Sequence, residues 1–158
     1  MGATSGIGRE VAVLLSQNGY NVAVAGRREE LLRQLVAEHD AITQYKVIDI
    51  NTEDAPHKLN ELINSMGGID LYFHSSGIGY QNPNLDIDKE MRTVETNAMG
   101  FARIINNVYH YFEEKGSGHI AAITSIAGTK GLGAAPAYSA TKRFQNNYIE
   151  ALSQLASM

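Results

Sequence analysis

Four short runs of apolar and β-branched residues, at 21–25, 45–50, 69–75 and 119–124, alternate along the chain with longer stretches whose apolar residues recur at helical spacing. No other feature narrows the fold as much. The runs are apolar nearly throughout, whereas a strand open to water on one face would alternate apolar with polar residues. They predict a parallel sheet covered on both faces, with helices over 7–18, 29–39, 53–66, roughly 89–115, and from about 137 to the end. Breakers fall where that scheme needs them, at Asn18-Gly19, Gly67-Gly68 and Gly116-Ser117-Gly118, and between Gly131 and Gly133. A length of 158 residues with 44% hydrophobic content suits one core, and no repeat or linker interrupts it. Residues 1–158 therefore read as a single doubly wound α/β domain.

Charge and composition exclude several classes of function. The net charge is −4 and the 13 Lys and Arg residues are scattered, so no basic stripe awaits a nucleic acid. With no cysteines there is neither a disulfide framework nor a thiolate zinc site, and the expected compartment is the reducing cytoplasm. No apolar stretch approaches the roughly 18 residues that a membrane span needs. His39, His57, His110 and His119 are dispersed without ligand spacing, so no metal site is expected.

The first residues carry chemistry. Gly2-Ala3-Thr4-Ser5-Gly6-Ile7-Gly8 has a G-x-x-x-G-x-G pattern and runs into an amphipathic stretch. Such glycines let backbone approach a pyrophosphate, and the N-terminal amides of the following helix attract the anion, as in Rossmann-like folds. Thr4 and Ser5 add hydroxyl donors. Taken alone the pattern is a weak signal, since small-residue turns also arise for steric reasons. A strand should lead into this turn, yet only Met1 precedes Gly2. The expectation is a piece of a longer chain, without its first strand and its C-terminal strands, and with two half-sheets as the result. After the second strand stand Ala25-Gly26-Arg27-Arg28, with no carboxylate where an NAD ribose would want one. Arg27, with Arg28 beside it, can offer a guanidinium fork to a 2′-phosphate, which points to NADP(H) over NAD(H).

Tyr138 and Lys142 are four residues apart just after Pro136, on one face of a predicted helix. A free phenol has a pKa of about 10, and a nearby ammonium favours its ionised form. The pair could pass a proton to a carbonyl oxygen or take one from an alcohol. By itself the spacing is common on helix surfaces. Ser125 ends the fourth apolar run, at the strand edge where α/β sheets bind ligands, and its hydroxyl could hold a substrate oxygen or merely cap a turn. The segments 79–85 and 129–135 flank the expected cleft.

Gly2 to Gly8, Asn97-Ala98-Met99-Gly100, Thr124-Ser125-Ile126-Ala127-Gly128 and Tyr138 to Lys142 occur in the order and approximate spacing of the classical short-chain dehydrogenases/reductases, which the chain resembles over essentially its whole length. The resemblance implies a reductase or dehydrogenase of small-molecule carbonyls or alcohols, with Tyr138 as general acid/base and Ser125 orienting the substrate. Lys142 would bind the nicotinamide ribose, and Asn97 would hold a water in a relay to that lysine. It also implies cofactor contacts at Gly2, Thr4, Ser5, Gly6, Ile7, Gly8, Arg27, Arg28, Asp49, Ile50, Ser76 and Gly77, and a homo-oligomer, dimer or tetramer. His74-Ser75-Ser76-Gly77 departs from the usual Asn-Asn-Ala-Gly, with Ser75 in place of an amide. The competing reading is a nucleotide-binding or structural protein of the same fold without turnover.

Overall fold

A computed structural model describes residues 1–157. The elements in chain order are α1 (Gly6–Gln17), β1 (Val22–Gly26), α2 (Glu29–Glu38), β2 (Ile42–Val47), α3 (Ala55–Ser65), β3 (Leu71–His74), α4 (Ile87–Val94), a π-helical turn (Glu95–Gly100), α5 (Phe101–Lys115), β4 (His119–Ala122), a 3-10 turn (Ile126–Gly128) and α6 (Pro136–Leu155). The chain divides into two units, Met1–Ser76 with Ile104–Ala122, and Gly77–Arg103 with the residues from Ile123 onward.

In the first unit, β1 pairs in parallel with β2, Val24 opposite Tyr45, and β3 pairs in parallel with β4, Leu71 opposite His119. Two two-stranded sheets result, as the expectation of half-sheets required. The helix between β1 and β2 earns its place through burial: Leu32 and Leu35 of α2 pack with Ala12, Val24 and Ile42 in one apolar cluster. Burying each leucine contributes about 1.5–3 kcal/mol. The acids Glu29 and Glu30 open α2 on the side that favours negative charge.

One strand departs from expectation. β2 begins and ends three residues before the predicted 45–50, and Thr43 and Gln44 are exposed, so it is not covered on both faces. It is an edge strand. The buried Ile48 and Ile50 that suggested a strand lie just past it, where the Ile48 N–H still donates to the Gly26 carbonyl at 2.9 Å.

A groove of about 400 Å³ runs between β1 and β3, lined by Val22, Val24, Leu59, Ile63 and Leu71 among others. Met1 stands at its head: its amino group donates to the Phe73 carbonyl at 2.8 Å, its carbonyl accepts from the Ser75 N–H at 2.9 Å, and the Gly2 N–H donates to the Ala25 carbonyl at 2.8 Å. Burial brings the pKa of that amino group down to about 5.

The second unit is helical. The single helix predicted over roughly 89–115 is instead α4 and α5 joined by the π-helical turn, and α5 runs on into the first unit. Asp86 caps α4, its carboxylate accepting from the Asp88 and Lys89 N–H groups. At the start of α6, Ala135 has no side-chain oxygen to offer and Pro136 fills the first turn. Glu90 of α4 supplies what Ala135 lacks, its Oε2 accepting from the Ala137 N–H at 3.1 Å.

Candidate active site

Tyr138 and Lys142 lie on one face of α6, as their spacing predicts. Lys142 is only 5% exposed, and its Nζ donates to the Ile123 carbonyl at 3.1 Å and to Gln145 Oε1 at 2.9 Å. The ammonium stands 5.8 Å from the centroid of the Tyr138 ring. Burial penalises the cation and lowers the lysine's pKa below its ordinary value. The backbone after β3 lies against this pair: a Cβ added at Gly79 would be 2.6 Å from Tyr138 Cδ2, and one at Gly77 would be 3.3 Å from Asn97 Oδ1 and 3.6 Å from Lys142 Nζ.

Asn97 is fully buried in the π-helical turn. Such turns realign the backbone ladder and recur at functional sites. Asn97 Oδ1 accepts from the Ile78 N–H at 2.9 Å, Nδ2 donates to the Ile78 carbonyl at 2.7 Å and to Thr141 Oγ1 at 3.3 Å, and the Asn97 carbonyl accepts from Gln145 Nε2 at 2.8 Å. Ser125 caps the 3-10 turn, its Oγ accepting from the Ala127 N–H at 3.1 Å. That bond uses a lone pair and leaves the hydroxyl proton available to donate elsewhere.

Asn82 is 2% exposed and ties the loops together. Its N–H donates to the Ala134 carbonyl at 2.7 Å, and its Nδ2 donates to Glu90 Oε1 at 2.7 Å and to the Asp86 carbonyl at 2.9 Å. The segments 79–85 and 129–135 are thus joined through Asn82, and the same Glu90 caps α6.

In the first unit the glycine turn is closely held. Gly2 has φ +84°, and a Cβ there would come within 2.6 Å of the Ser76 nitrogen, while one at Gly8 would collide with the Gly2 carbonyl. Arg28 folds over the turn: its Nε and Nη2 donate to Thr4 Oγ1 at 3.1 and 2.7 Å, and Nη2 donates to Ser5 Oγ at 2.7 Å. Arg27 and Arg28 are both exposed, and it is the Arg28 guanidinium that reaches Thr4 and Ser5 of the glycine turn. Two hydroxyls and a guanidinium gather at the N-terminus of α1, a donor set that fits a phosphate-bearing group. Gly6 has φ +56° and Ile7 is 56% exposed. Asp49 Oδ1 accepts from the Asn51 N–H at 3.1 Å, next to the buried Ile50.

Sequence reasoning passed over Gln145, Glu90 and Asn82. Only Gln145 carried a signal, since 138, 142 and 145 fall on one helical face.

A family model described as short chain dehydrogenase matches residues 1–157. The chain is 33% identical over 157 residues to an uncharacterised oxidoreductase of Myxococcus xanthus, covering 96% of this chain and 62% of that protein. It is 31% identical over 163 residues to the uncharacterised oxidoreductase YvaG of Bacillus subtilis, covering 99% and 61%. The chain therefore spans about three fifths of the length of these relatives. Among solved structures, a variant of actinorhodin polyketide ketoreductase with NADPH is similar at a TM-score of 0.88 and 29% identity, covering 98% of this chain and 62% of that one. Serine dehydrogenase from Escherichia coli matches at a TM-score of 0.88 and 26% identity, covering 97% and 72%.

Proposed function

Because the chain belongs to the short-chain dehydrogenase/reductase family, we propose that the protein moves hydride between NADP(H) and a small carbonyl or secondary alcohol, with Tyr138 handling the proton. The observation that carries this reading is the buried Lys142 ammonium 5.8 Å from the Tyr138 ring centroid. The nicotinamide cofactor, when bound, supplies or accepts the hydride.

Everything else falls to this chain's own groups. Gly2 and Gly8, where no side chain could be accommodated, leave backbone free to meet the pyrophosphate, together with Gly6, Ile7 and the first amides of α1. Arg28, with Thr4 and Ser5, takes the 2′-phosphate, and Arg27 adds a second positive charge nearby in sequence. Asp49 and Ile50 meet the adenine, and Ser76 and Gly77 give a close backbone approach. The ketoreductase with NADPH supports the choice of cofactor by analogy.

Tyr138 gives its proton to the carbonyl oxygen in reduction and recovers it from the alcohol in the reverse direction. Lys142, its ammonium 5.8 Å from the centroid of the Tyr138 ring, contacts the nicotinamide ribose. Ser125, whose Oγ already accepts from a backbone amide, donates its hydroxyl proton to the substrate oxygen and orients it. Asn97 holds the Ile78 backbone with its side chain, and its carbonyl accepts from Gln145 Nε2. Self-association into a dimer or tetramer belongs to the same reading, supported by the exposed Ile87, Met91 and Met99 along α4 and the π-helical turn.

The test is NADPH oxidation against a panel of ketones by the protein and its Tyr138→Phe variant. Removing a positioned acid should lower kcat by about 10²- to 10⁴-fold. Equal turnover by the two proteins would defeat the assignment.

A further inference from the structure

Resting on the reading of Tyr138 and Lys142 as the proton-handling pair, we propose that Gln145 is a positioning residue of that pair: its carboxamide, set between the Asn97 carbonyl and Lys142 Nζ, anchors the ammonium and makes the Asn97-to-lysine link itself. Gln145 has no exposed surface and lies on the same helical face as Tyr138 and Lys142. Both ends of its amide are engaged, Nε2 donating to the Asn97 carbonyl at 2.8 Å and Oε1 accepting from Lys142 Nζ at 2.9 Å. The orientation is chemically unambiguous, since an ammonium can only donate and a carbonyl can only accept.

A glutamine is costly to bury, both in lost rotamers and in lost hydration. At this position an apolar residue would cost more in another way, leaving a buried cation and a buried carbonyl each short of a partner. The carboxamide satisfies the two at once. It also differs from a bridging water in one respect, for it carries no proton that it readily hands on near neutral pH. In the resemblance, Asn97 serves a water-borne relay to the lysine; here the amide occupies that connection and works as an anchor. Two of the three ammonium donors go to Gln145 Oε1 and the Ile123 carbonyl. The titratable group facing Lys142 is Tyr138 on its own helix. The groups set against the ammonium from elsewhere, the Ile123 carbonyl, the Gly77 backbone and Asn97, are all neutral.

The experiment compares the protein with Gln145→Met and Gln145→Glu. Two readouts are taken: the titration midpoint of Lys142, by competitive amine labelling and peptide mass spectrometry, and the pH profiles of kcat and KM for NADPH-dependent ketone reduction. Gln145→Met removes one acceptor from a cation that stays buried, so the midpoint should fall by about one pH unit. Its kcat should drop by about tenfold or more with KM for the ketone changed by less than about twofold, as expected for misplacement of reacting groups. Gln145→Glu keeps an acceptor and adds an opposite charge, so the midpoint should rise. Should the methionine variant fail to fold, the glutamate variant decides through its midpoint alone. Midpoints unchanged in the folded variants of an active enzyme overturn the proposal and leave the reductase reading intact. Shifted midpoints in a protein that reduces no ketone would instead keep the anchor and remove the reductase reading.

Discussion

At Arg28, three donated hydrogen bonds gather the hydroxyls of Thr4 and Ser5 beneath one guanidinium, and a permanent charge so placed should discriminate between phosphorylated and unphosphorylated ribose. Arg28→Ala should raise KM for NADPH by about 10- to 100-fold, the worth of hydrogen bonds to a charged group, while KM for NADH changes little. Steady-state kinetics with both cofactors would check it, and an equal rise for the two would remove Arg28 from the 2′-phosphate. Sequence reading placed both arginines at the cofactor; that the Arg28 guanidinium turns toward Thr4 and Ser5 depends on how α2 leaves β1, which residue order alone does not carry. Tyr138 and Lys142 were legible because a spacing of four survives translation into a helix. Gln145 was legible only by its place on the same helical face; its burial was not, because a glutamine in an amphipathic helix reads as a solvated residue until a buried carbonyl and a buried ammonium are found on either side of it.

Among the elements, α6 has its start completed by another helix. Its own N-cap position is Ala135, and the carboxylate that accepts from the Ala137 N–H belongs to Glu90. Glu90→Ala should therefore cost about 1–2 kcal/mol, as the loss of a cap does, and lower Tm by about 2–8 °C for a chain of this size. Adding Ala135→Asp should restore most of that loss by capping from within, and thermal melts of the single and double variants would show whether it does. Helix positions were predictable to within two residues at α1, α2 and α3, since their apolar stripes are strongly periodic. The π-helical turn escaped notice. Thr96, Asn97 and Gly100 are buried there, and small or polar residues on the inner face of a helix do not register in a pattern that counts apolar ones.

Over the whole molecule, the parallel pairing of β1 with β2 and of β3 with β4 was readable because strand-like runs alternate with helical stretches, and parallel strands need such crossovers. In a polypeptide that starts at Met1, the amino group at the head of the groove has its pKa brought down from 8.0 to about 5 by burial. Between those values the unfolded chain carries a proton that the folded chain refuses, so stability is highest above pH 8 and falls as pH drops toward 5. A shift of about three units corresponds to about 4 kcal/mol. Urea unfolding at pH 8 and pH 5 should show the loss, and Nα-acetylation, which removes the charge and keeps one N–H for the Phe73 carbonyl, should flatten it. A pH slope that acetylation leaves untouched would place the titrating group elsewhere. Because Met1 ties to Phe73 and Ser75, and Gly2 and Ala3 to Ala25, through only a few backbone bonds, mild acid should act as a zip-pull at this seam: hydrogen exchange of the Gly2 and Ser75 amides should quicken, beyond its intrinsic pH dependence, well before the amides of Leu32 and Leu35 are touched.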